Sequence, residues 1–119
     1  MQIERVDFVS VLTQDLQRAK RFYVETLGLE VETEGDTDLE LGCGQVTLDV
    51  FDPLSIGQPF TPSPAGIALR VPDVDAARTE LEAKGVVFDG ETLTTGVCKQ
   101  AWFKDPDGNA LMLHRRFDA

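Results

Sequence analysis

Ala101-Trp102-Phe103-Lys104-Asp105-Pro106-Asp107-Gly108-Asn109-Ala110-Leu111-Met112-Leu113-His114 is the stretch that decides the fold. Two alternating runs flank Asp-Pro-Asp-Gly-Asn. Pro106 presets φ for a tight turn, Gly108 or Asn109 can take a positive φ, and the Asp side chains can satisfy turn amides. The stretch is a strand pair. One face carries Ala101, Phe103, Leu111 and Leu113, and the other carries Trp102, Met112 and His114.

Working outward, the same alternation appears over 6–12, with Val9 and Val11 on one face and Phe8, Ser10 and Leu12 on the other. Thr13-Gln14-Asp15 supplies helix N-cap candidates. Leu16, Ala19, Phe22, Tyr23 and Leu27 follow at helical spacing, and Gly28 closes the helix. Strands are predicted over 29–34, 38–42 and 46–51. Residues 52–65 hold four prolines and Gly57 and form a loop. A strand over 66–71 comes next. A helix capped by Asp73 or Asp75 then carries Val74, Ala77 and Leu81 on its apolar face and ends at Gly85. Strands over 86–88, 97–103 and 110–114 complete the chain.

The two halves are alike. Phe8 to Ala19 aligns with Gly66 to Ala77 at an offset of 58, and Glu25 to Val31 aligns with Glu82 to Phe88 at an offset of 57. One residue is lost within the helix. The chain is therefore a tandem of two βαβββ modules, about 1–52 and 66–119, joined by a linker over 53–65. The fold class is α+β, with a curved mixed sheet, helices on its outer face and a concave ligand pocket on the other.

Five strands have one nearly uniform apolar face: Val9/Val11, Val46/Leu48/Val50, Ile67/Leu69/Val71, Val97/Ala101/Phe103 and Leu111/Leu113. The opposite face mixes types: Phe8/Ser10, Thr47/Asp49/Phe51, Gly66/Ala68/Arg70, Cys98/Gln100/Trp102 and Met112/His114. A solvated face would be mostly charged, and a second core face would lack Asp, Gln, Arg and His. Aromatics among a few polar groups suit a ligand surface.

The 119 residues make one domain, and 11 basic against 21 acidic residues give a formal charge of −10. Such a surface disfavours nucleic acid and anionic membranes, and overall it would attract a cationic ligand. Solubility alone also accounts for it. No apolar run is long enough to span a bilayer, and the N-terminus lacks a signal-peptide core. Cys43 and Cys98 are far apart, as expected of free thiols in a reducing cytoplasm.

The chain resembles the vicinal oxygen chelate superfamily, which includes glyoxalase I, extradiol dioxygenases, fosfomycin-resistance enzymes and bleomycin-resistance proteins. The resemblance rests on Val9-x-Val11, Asp15-Leu16, Ala19, Phe22-Tyr23 and Leu27-Gly28-Leu29, on the repeat of that pattern, and on Phe103-x-Asp105-Pro106-Asp107-Gly108-Asn109. It implies paired modules, usually a homodimer and, in metal-dependent members, four His, Gln or Glu ligands. Those ligand positions fall on Phe8, Asp49, Gly66 and Met112. Only Asp49 could coordinate, so neither a metal nor another cofactor is expected.

The candidate ligand-binding residues are Phe8, Ser10, Asp49, Phe51, Arg70, Cys98, Gln100, Trp102, Met112 and His114. Asp49 could pair with a cationic ligand group or form an ion pair with Arg70. Trp102, Phe8 and Phe51 could make an aromatic wall or pack as core. Cys98 reads as an inert thiol, and the 105–109 turn as structural. The expected function is binding of a small molecule, cationic or aromatic, as in antibiotic sequestration. The alternative is an enzyme, a glyoxalase-type lyase, isomerase or dioxygenase. It would use a non-standard metal site or metal-free acid/base chemistry through Asp49 and His114.

Overall fold

The structure is a computed structural model that describes residues 1–118. It divides into two compact units, Met1–Thr61 and Pro62–Ala119. The first holds β1 (Phe8–Leu12), α1 (Leu16–Lys20), β2 (Glu30–Glu34), β3 (Asp38–Cys43) and β4 (Val46–Phe51). The second holds β5 (Ile67–Arg70), α2 (Val74–Ala83), β6 (Leu93–Thr94), β7 (Cys98–Lys104) and β8 (Ala110–Arg116). The strands fall into two four-stranded ladders of identical topology, β1-β4-β3-β2 and β5-β8-β7-β6. In each, the first strand pairs parallel with the last, and the other pairings are antiparallel.

The repeat is visible in the helix caps. The Asp15 side chain accepts from the Arg18 amide and the Asp73 side chain from the Ala76 amide, 58 residues on. Asp73, not Asp75, is the second cap. Gly28 and Gly85 close the helices at φ +80° and +93°, which a side chain would disfavour. Between cap and closing glycine the first helix has one residue more. It fits this residue by continuing as a π-helical segment over Arg21–Thr26, where the Leu27 amide donates to Phe22 O, five residues back. Tyr23 and Leu81, still 58 apart, are both buried, so the extra residue enters after Tyr23. A π-bulge absorbs an insertion without moving the helix ends.

Alternation places the cores. In the first unit α1 packs on β3 and β4, where Leu39, Leu41, Leu48 and Val50 are buried with Ala19 and Tyr23. In the second, α2 packs on β7 and β8 over Ala101, Phe103, Leu111 and Leu113, with Val74, Leu81 and Phe88. The apolar face is less complete than its sequence pattern: Val9 is exposed at the edge strand, and Val97 lies exposed outside β7. The predicted strand over 86–88 is reduced to one bridge, Phe88 to Phe103, because Phe88 turns inward to pack on that ring at 5.1 Å. Antiparallel pairing with β7 is supplied instead by the two residues of β6. Pro53–Ile56 forms a 3₁₀ turn inside the predicted loop, capped by Asp52. Among the described residues no helix is long and apolar enough to cross a membrane, and both cysteines are free.

The 105–109 turn is held by one buried carboxylate. Asp105 Oδ1 accepts the amides of Asp107 and Asn109, both at 2.9 Å, and Oδ2 accepts Asn109 Nδ2 at 2.8 Å. Asn109 Oδ1 in turn accepts the Ser63 amide at 2.8 Å, and the Ala110 amide donates to Ser63 O. The turn thus ties the Pro62–Pro64 segment to the start of β8. Asp105→Ala leaves two buried amides without acceptors and should cost about 2–4 kcal/mol in urea unfolding. Asp105→Asn keeps Oδ1 and should cost less. An alanine variant as stable as wild type contradicts this role.

Candidate functional site

The side chains that alternate away from the helices form a free face in each unit. In the second unit, cross-strand register arranges them in rows. Trp102, Met112 and Ala68 share one row across β7, β8 and β5. Gln100, His114 and Arg70 form the next. Lys104 and Ala110 form the row on the other side, toward the turn.

Trp102 dominates this face. Its indole crosses β8 and lies on Gly66, just before β5. A Cβ at 66 would stand 2.7 Å from Cη2 and closer still to Cζ3. Only glycine leaves room for the ring. The indole N–H donates to Gln100 Oε1 at 3.1 Å, and Gln100 Nε2 donates to Cys98 Sγ at 3.6 Å. Both ends of the Gln100 amide are therefore engaged, which holds the ring in one orientation. Cys98 is buried in this chain of contacts beside Thr95 Oγ1, which accepts its backbone amide.

Beside Trp102 opens a cleft of about 460 Å³, within the size range of small-molecule sites. Pro62, Pro64, Gly108 and Ala110 wall it, and the Lys104–Asp89 ion pair, 3.1 Å, stands at its rim. Of the candidates named from sequence only Trp102 lines this cleft. Its other walls come from the proline-rich loop and the turn, regions read as connection and scaffold. The signal available was Asn109, whose side chain ties one to the other.

The first unit's face is different. Ser10, Asp49 and Glu40 share a row, flanked by Leu12, Phe51 and Asp38 on one side and by Phe8, Thr47 and Gly42 on the other. Phe8 and Phe51 are therefore two rows apart, about 13 Å along the strands, with the acidic row between them. They do not form a continuous aromatic wall. Phe8 is 51% exposed. Thr47 Oγ1 donates to Glu32, so this face holds Glu32, Asp38, Glu40 and Asp49.

Burial raises the Asp49 carboxyl to about 6, helped by a hydrogen bond with the Asp38 carboxyl and by the charges of Asp38 and Glu40. Among the described residues its buried Oδ1 has no hydrogen-bond partner. No Arg70 ion pair relieves it, because the Arg70 side chain makes none among the described residues. Asp49 stands on the first unit's face and His114 on the second's, so neither unit alone supplies the proposed acid/base couple.

The four positions that carry metal ligands in the resembled superfamily do not fit a divalent ion. Phe8, Gly66 and Met112 offer no hard donor, and Trp102 fills the space a side chain at 66 would need. Among the described residues no group of three His, Cys, Asp or Glu is placed to hold one.

The sequence matches the profile described as Glyoxalase/Bleomycin resistance protein/Dioxygenase superfamily over residues 5–113. Among solved structures, TnmS3, described as an antibiotic binding protein from Streptomyces sp. CB03234, is 34% identical, with a TM-score of 0.79 and 98% of each chain covered. A glyoxalase/bleomycin resistance protein from the same strain is 32% identical, with a TM-score of 0.75, covering 93% of this chain and all of the other. Among curated proteins, the uncharacterized protein YetH of Bacillus subtilis (strain 168) is 26% identical over 117 residues, covering 93% of this chain and 98% of its own.

Two outcomes follow from this geometry. Gly66→Ala should lose about 1–3 kcal/mol, because the ring must leave its place, while adding Trp102→Ala should recover part of the loss. Additive losses would contradict the contact. For Asp49, the folded protein binds a proton more tightly than the unfolded chain, so its contribution weakens stability as pH rises from about 4 through 6. Asp49→Asn should then melt higher than wild type at pH 7.5, by about 1 kcal/mol after allowing for solvent screening, and equally at pH 3.5. A pH-independent difference would contradict the assignment.

Proposed function

The chain belongs to the Glyoxalase/Bleomycin resistance protein/Dioxygenase superfamily, and within it we propose that this protein binds a small aromatic molecule without converting it, as in sequestration of an antibiotic. The observation that carries this is the Trp102 ring, fixed by Gln100 on Gly66 and forming one wall of an open cleft. A fixed indole face offers stacking area at little conformational cost, about 0.5–1.5 kcal/mol beyond the area it buries. Similarity to TnmS3 supports binding in place of catalysis. So does the donor set, which leaves one carboxylate where metal-dependent relatives would need four ligands.

A second reading, acid/base catalysis, draws on Asp49. A carboxyl raised to about 6 sits near the operating range of a general base. One experiment separates the two. Calorimetry against a panel of aromatic and cationic glycopeptide antibiotics should find at least one that binds below the millimolar range. Mass spectrometry should then recover that compound unchanged after prolonged incubation. No binding across the panel would overturn the proposal, and recovery of a converted product would establish the enzyme instead.

A further inference from the structure

We propose that the free face of the second unit takes an aromatic acid, with its ring on the Trp102 row and its anionic group on Arg70 and His114. This rests on the binding function proposed above and names its ligand class.

The charge of −10 points to a cation, but the charges are not spread evenly. The first unit has 12 acidic residues against 4 basic, and the second 9 against 7. Strands β5, β7 and β8, which carry the Trp102 row, contain no Asp or Glu at all. They contain Arg70, Lys99, Lys104, His114, Arg115 and Arg116. Lys99 and Arg115 alternate onto the opposite face, and charges beyond about 8–10 Å are largely screened at physiological salt, so a ligand approaching the Trp102 face meets Arg70, Lys104 and Arg116 rather than the total.

On this face Arg70 and the His114 imidazole are uncommitted. Lys104 pairs with Asp89 at 3.1 Å and Arg116 with Asp118 at 3.3 Å. The side chains of Arg70 and His114 make no hydrogen bond or ion pair among the described residues. They are direct cross-strand neighbours on β5 and β8, on the same face as Trp102. Their row lies about 6.5–7 Å from the Trp102–Met112–Ala68 row. Gln100, the third member of their row, is held by Trp102 and Cys98 and does not occupy them. Ala68 is small and exposed, so a ring leaning on Trp102 has open space over β5. A carboxylate on that ring would then reach a guanidinium able to bind both its oxygens, with an imidazole N–H beside it.

The test is calorimetry of the full chain with three probes of one shape: naphthalene-2-carboxylate, naphthalene-2-carboxamide and naphthalen-2-ylmethylammonium. The carboxylate should bind about tenfold more tightly than the carboxamide, and the ammonium most weakly. Arg70→Gln should abolish that preference while leaving carboxamide affinity unchanged. Arg115→Gln, on the opposite face of β8, should preserve it. Equal or tighter binding of the carboxamide or ammonium overturns this inference and leaves the binding function standing. So does a preference that survives Arg70→Gln or disappears in Arg115→Gln. If none of the three binds below the millimolar range while an antibiotic does, the ligand class is wrong. If nothing binds at all, both proposals fall.

Discussion

The contact between the Trp102 indole and Gly66 organises the second unit's face. It is possible because position 66 has no side chain, and it persists because Gln100 accepts the indole N–H. Each part constrains the next. The ring fixes the conformation of Gln100, Gln100 engages Cys98, and the covered backbone at 66 cannot be used for anything else. The scaffold around it is equally determined. Asp105 closes the turn, Asn109 ties the Pro62–Pro64 segment to it, and that segment becomes the wall that faces the ring.

The two units show what one backbone pattern can carry. Ser10, Asp49 and Glu40 occupy the row in the first unit that Ala68, Met112 and Trp102 occupy in the second. The buried faces stay apolar in both because each must lie under a helix. The free faces have diverged to opposite chemistry, carboxylates in one and an aromatic ring among cations in the other. Burial first, and then the neighbouring Asp38 and Glu40 carboxylates, make Asp49 hold its proton up to about 6. The acidic row is a local cost tolerated on a face that takes no part in the core.

Much of the fold was legible because it rests on local rules. Period-two alternation located seven of the eight strands, and the cap candidates, Thr13 to Asp15 and Asp73 or Asp75, included both caps. The 86–88 run misled because its apolar residues suit a buried turn as well as a strand, and only Phe88 packs inward. The π-helical segment was foreshadowed by the change of offset, but sequence alone does not say whether an extra residue lengthens a helix or bulges it. The site was less legible. Alternation put Trp102, Gln100, Met112, His114 and Arg70 on one face, yet it could not show that the ring reaches two strands across to Gly66. Nor could it separate Phe8 from Phe51, since their distance depends on the parallel register of β1 with β4. The cleft walls were missed because they come from loop and turn residues, whose meeting depends on a side-chain hydrogen bond.

The central claim is that Trp102 receives an aromatic ligand with no metal present. The chain has one tryptophan, so a ¹⁵N-labelled sample gives one indole N–H signal. Titrating metal-stripped protein with naphthalene-2-carboxylate should shift that signal saturably, together with the side-chain amide of Gln100. An indole signal that stays fixed while the compound binds elsewhere, or that moves only after a divalent metal is added, would contradict the account.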